Sequence, residues 1–491
     1  MDVNERHEPT TEAGSNAAPP AVSTVREDAG PPTISTVREA RDYLAENNVD
    51  NIRLVVTDLM GMARGKRVPV AKFLKACEQG LTYCLAHYGF TIDSDMVPDL
   101  PGLGWAGGFP DAVMWPDLGT LTVLPWDEGS AWVVCDMRYQ DGEDVPYDPR
   151  NVLKRQIAAL SESGAALVAG LEYECYVLRE TQQSLRAKLW DSSQFEGLFT
   201  GGACYDQVRT GVAGPLMKDI WRNLCRVGVP LDSFHIELGG GHIEFPMKEA
   251  AALAAADRAI LLKVAIKEIC RQHGLMATFM AKIDPAYEGL SGAVHHSLVD
   301  GSGDNLFYDA ARPHTLSAVF DQWCEGLLQN LVDMTLLLLP NYNSYKRPVP
   351  GSYVGNSTTW GVENRVTSFR AINFDPRAVR IEARLAAADA NPYLALAATI
   401  AGGTYGLRNR LTLRPLFSGT DPAVDDQGRD DVQRIPPSLE AAITQFEGSA
   451  RMREFFGDEF CEVFVAHRKD DLDWFRNRVS DLERARYLEY V

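Results

Sequence analysis

Three short apolar runs in this chain each carry glutamate, and that combination restricts what the chain can fold into more than any other feature. They read "LEYECYVL" at 171–178, "FHIELGGGHIEF" at 234–245 and "VRIEAR" at 379–384. In a strand, alternate residues share a face, so Glu172 and Glu174 point one way while Leu171, Tyr173 and Cys175 point the other. Arg380, Glu382 and Arg384 alternate in the same manner, and Glu237 and Glu244 flank three glycines that permit a sharp bend or a close approach of backbone. A single pair such as Glu172 and Glu174 fits a solvated strand face equally well. Five carboxylates on three apolar runs would instead form a costly cluster if buried together unpaired. Bound divalent cations offset that cost, and oxygen ligands suit Mg²⁺ or Mn²⁺ rather than zinc or copper.

The same half of the chain is rich in arginine: Arg347 in "NSYKR", Arg365 and Arg370 in "ENRVTSFR", Arg380 and Arg384 in "VRIEAR". Any one of them could be a surface ion pair. Together, opposite carboxylates that hold cations, they match the needs of phosphoryl transfer from ATP. No GxxxxGK[ST] loop is present, which excludes a P-loop enzyme.

The rest of the sequence sets bounds. At 491 residues the chain is long enough for two or three domains. A net charge of −19 argues against nucleic acid and anionic membrane as partners. Nine scattered cysteines without a CxxC fit a reducing compartment. With no apolar stretch near the ~18 residues of a membrane span and a polar, acidic start, a cytoplasmic location is expected. Residues 1–35, rich in Pro, Ala, Thr, Ser and Glu, read as a disordered tail. Residues 36–145 read as a small β-rich domain: "IRLVVTDLMGMARGKRVPV" is strand, turn, strand with Gly61 and Gly65 at the bends. From 146 onward, long helices alternate with short strands. These are "PYDPRNVLKRQIAALSESG", with Asp148 and Pro149 near its start, "KEAAALAAADRAILLKVAIKEICRQHG", ending at Gly274, and "LSAVFDQWCEGLLQNLVDMTLLLLP", stopped by Pro340.

"GLEYECYVL", "IEL…HIEF", "ATFMAK", "NSYKR", "ENR…SFR" and "RIEARLAAADANPYLALAA" stand in the order and spacing of the glutamine synthetase family, which the chain resembles over roughly residues 36–491. "VVTDLMGMARGKRVP" and "DLGTLTVLPW" resemble that family's N-terminal domain. The resemblance implies an α+β fold: a β-grasp domain over 36–145, then a catalytic domain over 146–491 with a curved antiparallel sheet and flanking helices. It implies an ATP-dependent ligase in which the side-chain carboxylate of glutamate becomes an acyl phosphate that a nitrogen nucleophile attacks, with two or three Mg²⁺ or Mn²⁺ ions. On the matching positions, Glu174, Glu237 and Glu244 correspond to ligands of the first metal, and Glu172 and Glu382 to ligands of the second. Arg347 and Arg384 correspond to substrate- and phosphate-facing arginines, Arg365 to the arginine at the transferred phosphoryl group, and Arg370 and Arg380 to nucleotide-side arginines. Gly289 falls at the glutamate-binding glycine, and His295 and Ser297 at nucleotide-side positions. The implied assembly is a homo-dodecamer of two stacked hexameric rings.

Departures from the family pattern bear on the substrates. The region that supplies an ammonium-binding aspartate reads "TYCLAHYGFTIDSD", with Cys84 or Leu85 at the matching position, although Asp95 matches a second aspartate. Tyr353 stands where a flap glutamate would take a proton from the nucleophile, and a phenol with a pKa near 10 is a poor base at neutral pH. In "GLSGAVHHSL" Ala293 replaces the histidine of the second metal site, leaving His295 or His296 to reach in. Glu288 replaces an asparagine of the glutamate pocket. The favoured reading is a ligase joining glutamate to an organic amine of the γ-glutamylpolyamine or ethanolamide kind. The alternatives are a non-catalytic relative and a ligase for a different acid.

Overall fold

The computed structural model describes residues 31–98, 100–349, 351–419 and 431–491, so the tail expected over 1–35 lies outside the described residues up to residue 30. Two sheets organise the chain. The first has six strands: β1 (Asn51–Thr57), β2 (Ala63–Pro69), β3 (Leu81–Cys84), β4 (Asp111–Pro116), β5 (Thr122–Val123) and β6 (Ser130–Arg138). Its order is β2-β1-β6-β4-β3, with β5 added on β6. β1 and β6 run parallel at its centre, and the other pairs are antiparallel. The β1–β2 hairpin arises where expected, with Gly61 in its turn at φ +80°. Gly65, expected at a bend, is instead paired with Val55 inside β2, where a Cβ would lie 1.8 Å from the Leu54 carbonyl oxygen. Close strand approach, not a turn, requires glycine there.

The second sheet has nine strands: β7 (Ala166–Leu178), β8 (His235–Ile236), β9 (His242–Pro246), β10 (Ala250–Ala251), β11 (Met276–Thr278), β12 (Gly292–Val299), β13 (Trp360–Val362), β14 (Phe369–Ile372) and β15 (Arg380–Ala383). The order is β13-β14-β15-β12-β7-β9-β8, with β10 and β11 also paired to β7. All pairings are antiparallel except β13 with β14. Burial alternates along β7: Leu171, Tyr173 and Cys175 are buried, while Glu172 and Glu174 are only partly covered. The buried side of the sheet joins the core with Ile243, Phe245, Val294 and Ile381. Fully burying an aliphatic or aromatic side chain of that size stabilises by about 1.5–3 kcal/mol.

Helices cover that side. Asp148, placed by the sequence near the start of the helix Pro149–Ser161, caps it by accepting from the Asn151 N–H. The helix Ala252–Gln272 ends just before Gly274, and Ala318–Leu338 starts at the Ser317 cap. Pro392–Arg408 is buried on nearly every side, and Gly406 lets it meet Ala318–Leu338, because a Cβ there would stand 1.9 Å from the Gln322 carbonyl oxygen. None of the described helices is long and apolar enough to cross a membrane.

The two sheets are locked together. Arg53 of β1 bonds Glu268 of the helix Ala252–Gln272 at 2.7 Å, and Trp126 Nε1 donates to the same carboxylate at 2.8 Å. Asn391, which caps Pro392–Arg408, donates its side-chain N–H to the Asp58 carbonyl at the tip of the first hairpin (3.0 Å). Arg150 sits buried among Asp117, Asp136 and Asp257.

Candidate active site

The open face of the nine-stranded sheet collects the residues singled out in the sequence. Register explains how. Glu174 lies across from Glu244, which lies across from His235, so one row runs over β7, β9 and β8. A second row runs over β12, β15 and β14, where His295 opposes Glu382 and Glu382 opposes Arg370. Glu172 sits between the rows, opposite Ala293 on one side and Pro246 on the other.

Two three-residue groups result, each with its ligand-type atoms within 4.8 Å of one another. One is Glu172, His295 and Glu382; the His295 Nε2 lies 3.1 Å from Glu172 and 4.0 Å from Glu382. The other is His235, Glu237 and Glu244; the His235 Nε2 lies 2.9 Å from Glu237 and 3.4 Å from Glu244. Each group supplies two carboxylates and one imidazole, a donor set that fits a divalent cation. The His295 Nε2 is closed off from solvent and faces these two carboxylates, without a well-aligned hydrogen bond to either.

Electrostatics on this face are uneven. Burial acts to raise the carboxyls of Glu172 and Glu174, but His295 beside the first and His242 beside the second hold each below its ordinary value. Glu244 shifts the other way. Burial, followed by the charges of Glu172, Glu174 and Glu237, pushes it up to about 10, so without a cation it carries a proton at neutral pH.

The arginines surround the group of Glu172, His295 and Glu382. Arg370 donates to Glu382 at 3.1 Å and also pairs with Glu363; Arg384 pairs with Glu382 and donates to the Tyr353 carbonyl at 2.8 Å. Arg380 Nε donates to the His295 Nδ1 at 3.2 Å. Arg365 is exposed on the turn between β13 and β14, with no bonded partner among the described residues, and its charge reaches Cys204 and Tyr205 at the far side of the site.

Other predicted residues sit differently. One oxygen of Glu174 accepts from His242 at 3.2 Å and from the Ser291 N–H at 2.7 Å, so it stands beside the group of His235, Glu237 and Glu244 rather than within it. Arg347 is buried, which lowers its guanidinium to about 10, and it donates to the carbonyls of Leu385 (2.8 Å) and Arg384 (3.2 Å). Gly289 packs on its stem; a Cβ there would lie 2.6 Å from Arg347 Cγ. The Ser297 hydroxyl is used on the Val379 carbonyl at 2.7 Å. Of the two histidines that could replace the one missing at Ala293, His295 faces the site. His296 points into the core, where Trp323 donates to it at 3.0 Å and burial lowers its pKa to about 4.

His235 and His242 were not anticipated. A signal for both was present: "HIE" occurs twice, at 235–237 and 242–244, and the spacing of two puts each histidine on the face of its glutamate.

A family model for the glutamine synthetase catalytic domain matches residues 146–487. The chain belongs to the glutamine synthetase family. As such it is a ligase. A glutamate–isopropylamine ligase from a Pseudomonas species is 34% identical over 92% of this chain and 97% of its own length. A gamma-glutamylethanolamide synthetase from Streptomyces coelicolor is 32% identical over 91% of this chain and 94% of its own. A solved structure described as a GmaS/ADP complex superposes with a TM-score of 0.79, at 25% identity, covering 91% of this chain and 99% of that one. The α+β architecture with a curled catalytic sheet is thus that of the glutamine synthetase family.

Proposed function

We propose that this glutamine synthetase family chain joins the γ-carboxylate of glutamate to an organic amine, using ATP and passing through an acyl phosphate. The observation that carries the reading is the pairing of two carboxylate–imidazole groups with Arg370, Arg380 and Arg384 on one sheet face. The relatives named for isopropylamine and ethanolamide products support the choice of nucleophile.

In this reading Glu172, His295 and Glu382 hold one divalent cation, and His235, Glu237 and Glu244 hold another with Glu174 beside them. The cations supply charge neutralisation where an anionic acid meets an anionic nucleotide. Arg384 and Arg370, already turned toward Glu382, take up negative charge on the phosphoryl group as it moves, and Arg365 has no bonded partner among the described residues to leave when it closes on that group. The γ-phosphoryl group passes to the glutamate carboxylate and ADP departs; the amine nitrogen then attacks the carbonyl carbon, expels phosphate and loses a proton. Cys84 and the buried Leu85 offer no charge for ammonium, and Tyr353, 62% exposed, leaves room for a carbon-bearing amine where a flap carboxylate would sit. We further propose Mg²⁺ or Mn²⁺ as the ion, a β-grasp domain over 36–145 serving the site of a neighbouring copy, two stacked hexameric rings, and a cytoplasmic location.

A second reading, a different carboxylic acid, is favoured by Glu288. It is exposed, and its carbonyl accepts from the Tyr176 hydroxyl at 3.2 Å, beside Gly289. Both readings face one experiment: ADP release with glutamate against isopropylamine, ethanolamine, putrescine, aniline and ammonia, and then with other dicarboxylic acids. Preference for an organic amine with glutamate is expected. Preference for ammonia would reject the first reading, and no ADP release with any pair would reject both.

A further inference from the structure

Between the first sheet and the helices of the second half of the chain lies a cavity of about 1200 Å³, and no residue of the candidate active site lines it. Its walls come from both halves. Thr122 of β5 and Trp132 of β6 are register partners, so their side chains share a face of the first sheet, and both line the cavity. Met217, Lys218, Trp221 and Arg222, spaced for one side of the helix Gly214–Arg226, form the opposite wall with Arg258 and Leu261 of Ala252–Gln272.

The charges in this cavity are one-sided. Lys218, Arg222, Lys248 and Arg258 have no ion pair or side-chain hydrogen bond among the described residues. Asp257 is the acid in the wall, and Arg150 already holds it at 2.9 Å and the Tyr393 hydroxyl at 2.6 Å. Lys218, Arg222 and Lys248 are exposed. Arg258 is half-buried, and burial pulls its guanidinium below its ordinary value with no carboxylate to offset the effect. A second group points the same way. Thr122 is only 3% exposed, and its hydroxyl has no hydrogen-bond partner, a rare condition for a buried polar atom.

We propose that this cavity binds an amphipathic carboxylic acid, with the carboxylate taken by Arg258 and the Thr122 hydroxyl and the hydrocarbon body by Trp132, Met217, Trp221 and Leu261. The ligand class follows from the walls. A small polar anion would leave the apolar surface wet, and a neutral hydrocarbon would leave Arg258 and Thr122 without partners. Lys218, Arg222 and Lys248 at the rim draw anions to the mouth. The volume exceeds the ~300–1,000 Å³ of ordinary small-molecule pockets, which leaves room for a long chain. Because the walls belong to different halves, the bound acid bridges them beside the lock that Arg150 makes with Asp117, Asp136 and Asp257. The proposal stands apart from the ligase reading, since the two share no residue.

The test titrates the full-length protein calorimetrically with octanoate, decanoate and dodecanoate, each below its micelle concentration, and with dodecylammonium. The net charge of −19 repels anions in general, so saturable binding of a carboxylate reports a local site. One acid per chain is expected, with affinity rising about three- to fourfold per added methylene and the thermal midpoint rising with ligand concentration. Dodecylammonium should bind at least about tenfold more weakly than dodecanoate. R258M is expected to weaken dodecanoate by ~10- to 100-fold and T122V by ~2- to 10-fold, the range for hydrogen bonds to charged and to neutral groups. No saturable heat, no dependence on chain length, or dodecylammonium binding as tightly as dodecanoate would each overturn the proposal, and none of these results depends on a variant folding. Unchanged affinity in both variants would overturn it too. Binding that appears only when residues 1–30 are deleted would give the cavity to that segment, and binding only to subunits separated from an oligomer would give it to a second copy; either result overturns the proposal.

Discussion

The two faces of the nine-stranded sheet are made by alternate residues of the same strands, yet they obey opposite rules. On the helix side Tyr173, Phe245, Val294 and Ile381 are buried against apolar neighbours. On the open side Glu172, Glu174, Glu237, Glu244 and Glu382 gather within a few strands of one another, and Glu244 is forced to keep a proton. One face supplies stability and the other holds like charges together at some cost to it, a division expected where a site needs charge that the fold alone would reject. Neighbouring residues therefore have unrelated roles, and His295 and His296 are the plainest case.

The comparison can be broken most forcefully at Phe245 and Glu244, adjacent in sequence and opposite in face. Phe245→Ala should cost about 3–5 kcal/mol of stability, read by denaturant unfolding, with activity per folded molecule held within a few-fold. Glu244→Gln should do the converse. Gln reproduces the protonated state that the cation-free fold already adopts, so the melting temperature without metal should hold or rise while turnover drops by about 10²–10³-fold, a loss like that of an oxyanion donor. A large loss of activity per folded molecule in the first variant, or of stability in the second, would refute the division.

A smaller effect follows from acidity. In the unfolded chain the Glu244 carboxyl titrates near 4.5, and in the folded, cation-free protein at about 10. The folded form binds this proton more tightly, so the group's contribution to stability is complete below pH 4.5 and declines as pH rises toward 10. Thermal melts without metal should show that decline, and saturating Mn²⁺, which takes the proton's place, should flatten it. The smallest effect belongs to the helix side: Trp323→Phe removes the hydrogen bond to His296 and should cost about 1 kcal/mol in unfolding, with no change in cation affinity.

Much of this face was legible in the sequence because the strand period is two. Once Glu172 and Glu174 are placed on a strand, their face is fixed, and the apolar residues between them identify the buried side. The same rule separates His295 from His296, but only after register shows that odd-numbered residues of β12 share a face with even-numbered residues of β7. Register between distant strands is not written in either strand alone. For that reason Ala293 looked like a loss, when an imidazole one pleat away reaches the same carboxylate. Gly65 misled for a related cause: a glycine demanded by strand proximity reads, in sequence, like one demanded by a turn. Ser297 and Arg347 were placed near the site by motif, but the carbonyls that occupy their polar atoms could be seen only in the fold.

The bond from Asn391 to the first hairpin has a further consequence. The same side chain accepts from the Tyr393 N–H to start the central helix and donates to Asp58 in the other sheet. Gly61 of that hairpin packs against it, with room of only 3.1 Å for an added Cβ. The join near residue 146 is accordingly a division of the sequence and not of the mechanics. Transplanting either half into a relative would carry one side of a clamp without the other, so useful chimaeras of this chain will exchange the hairpin tip and Asn391 as a single unit.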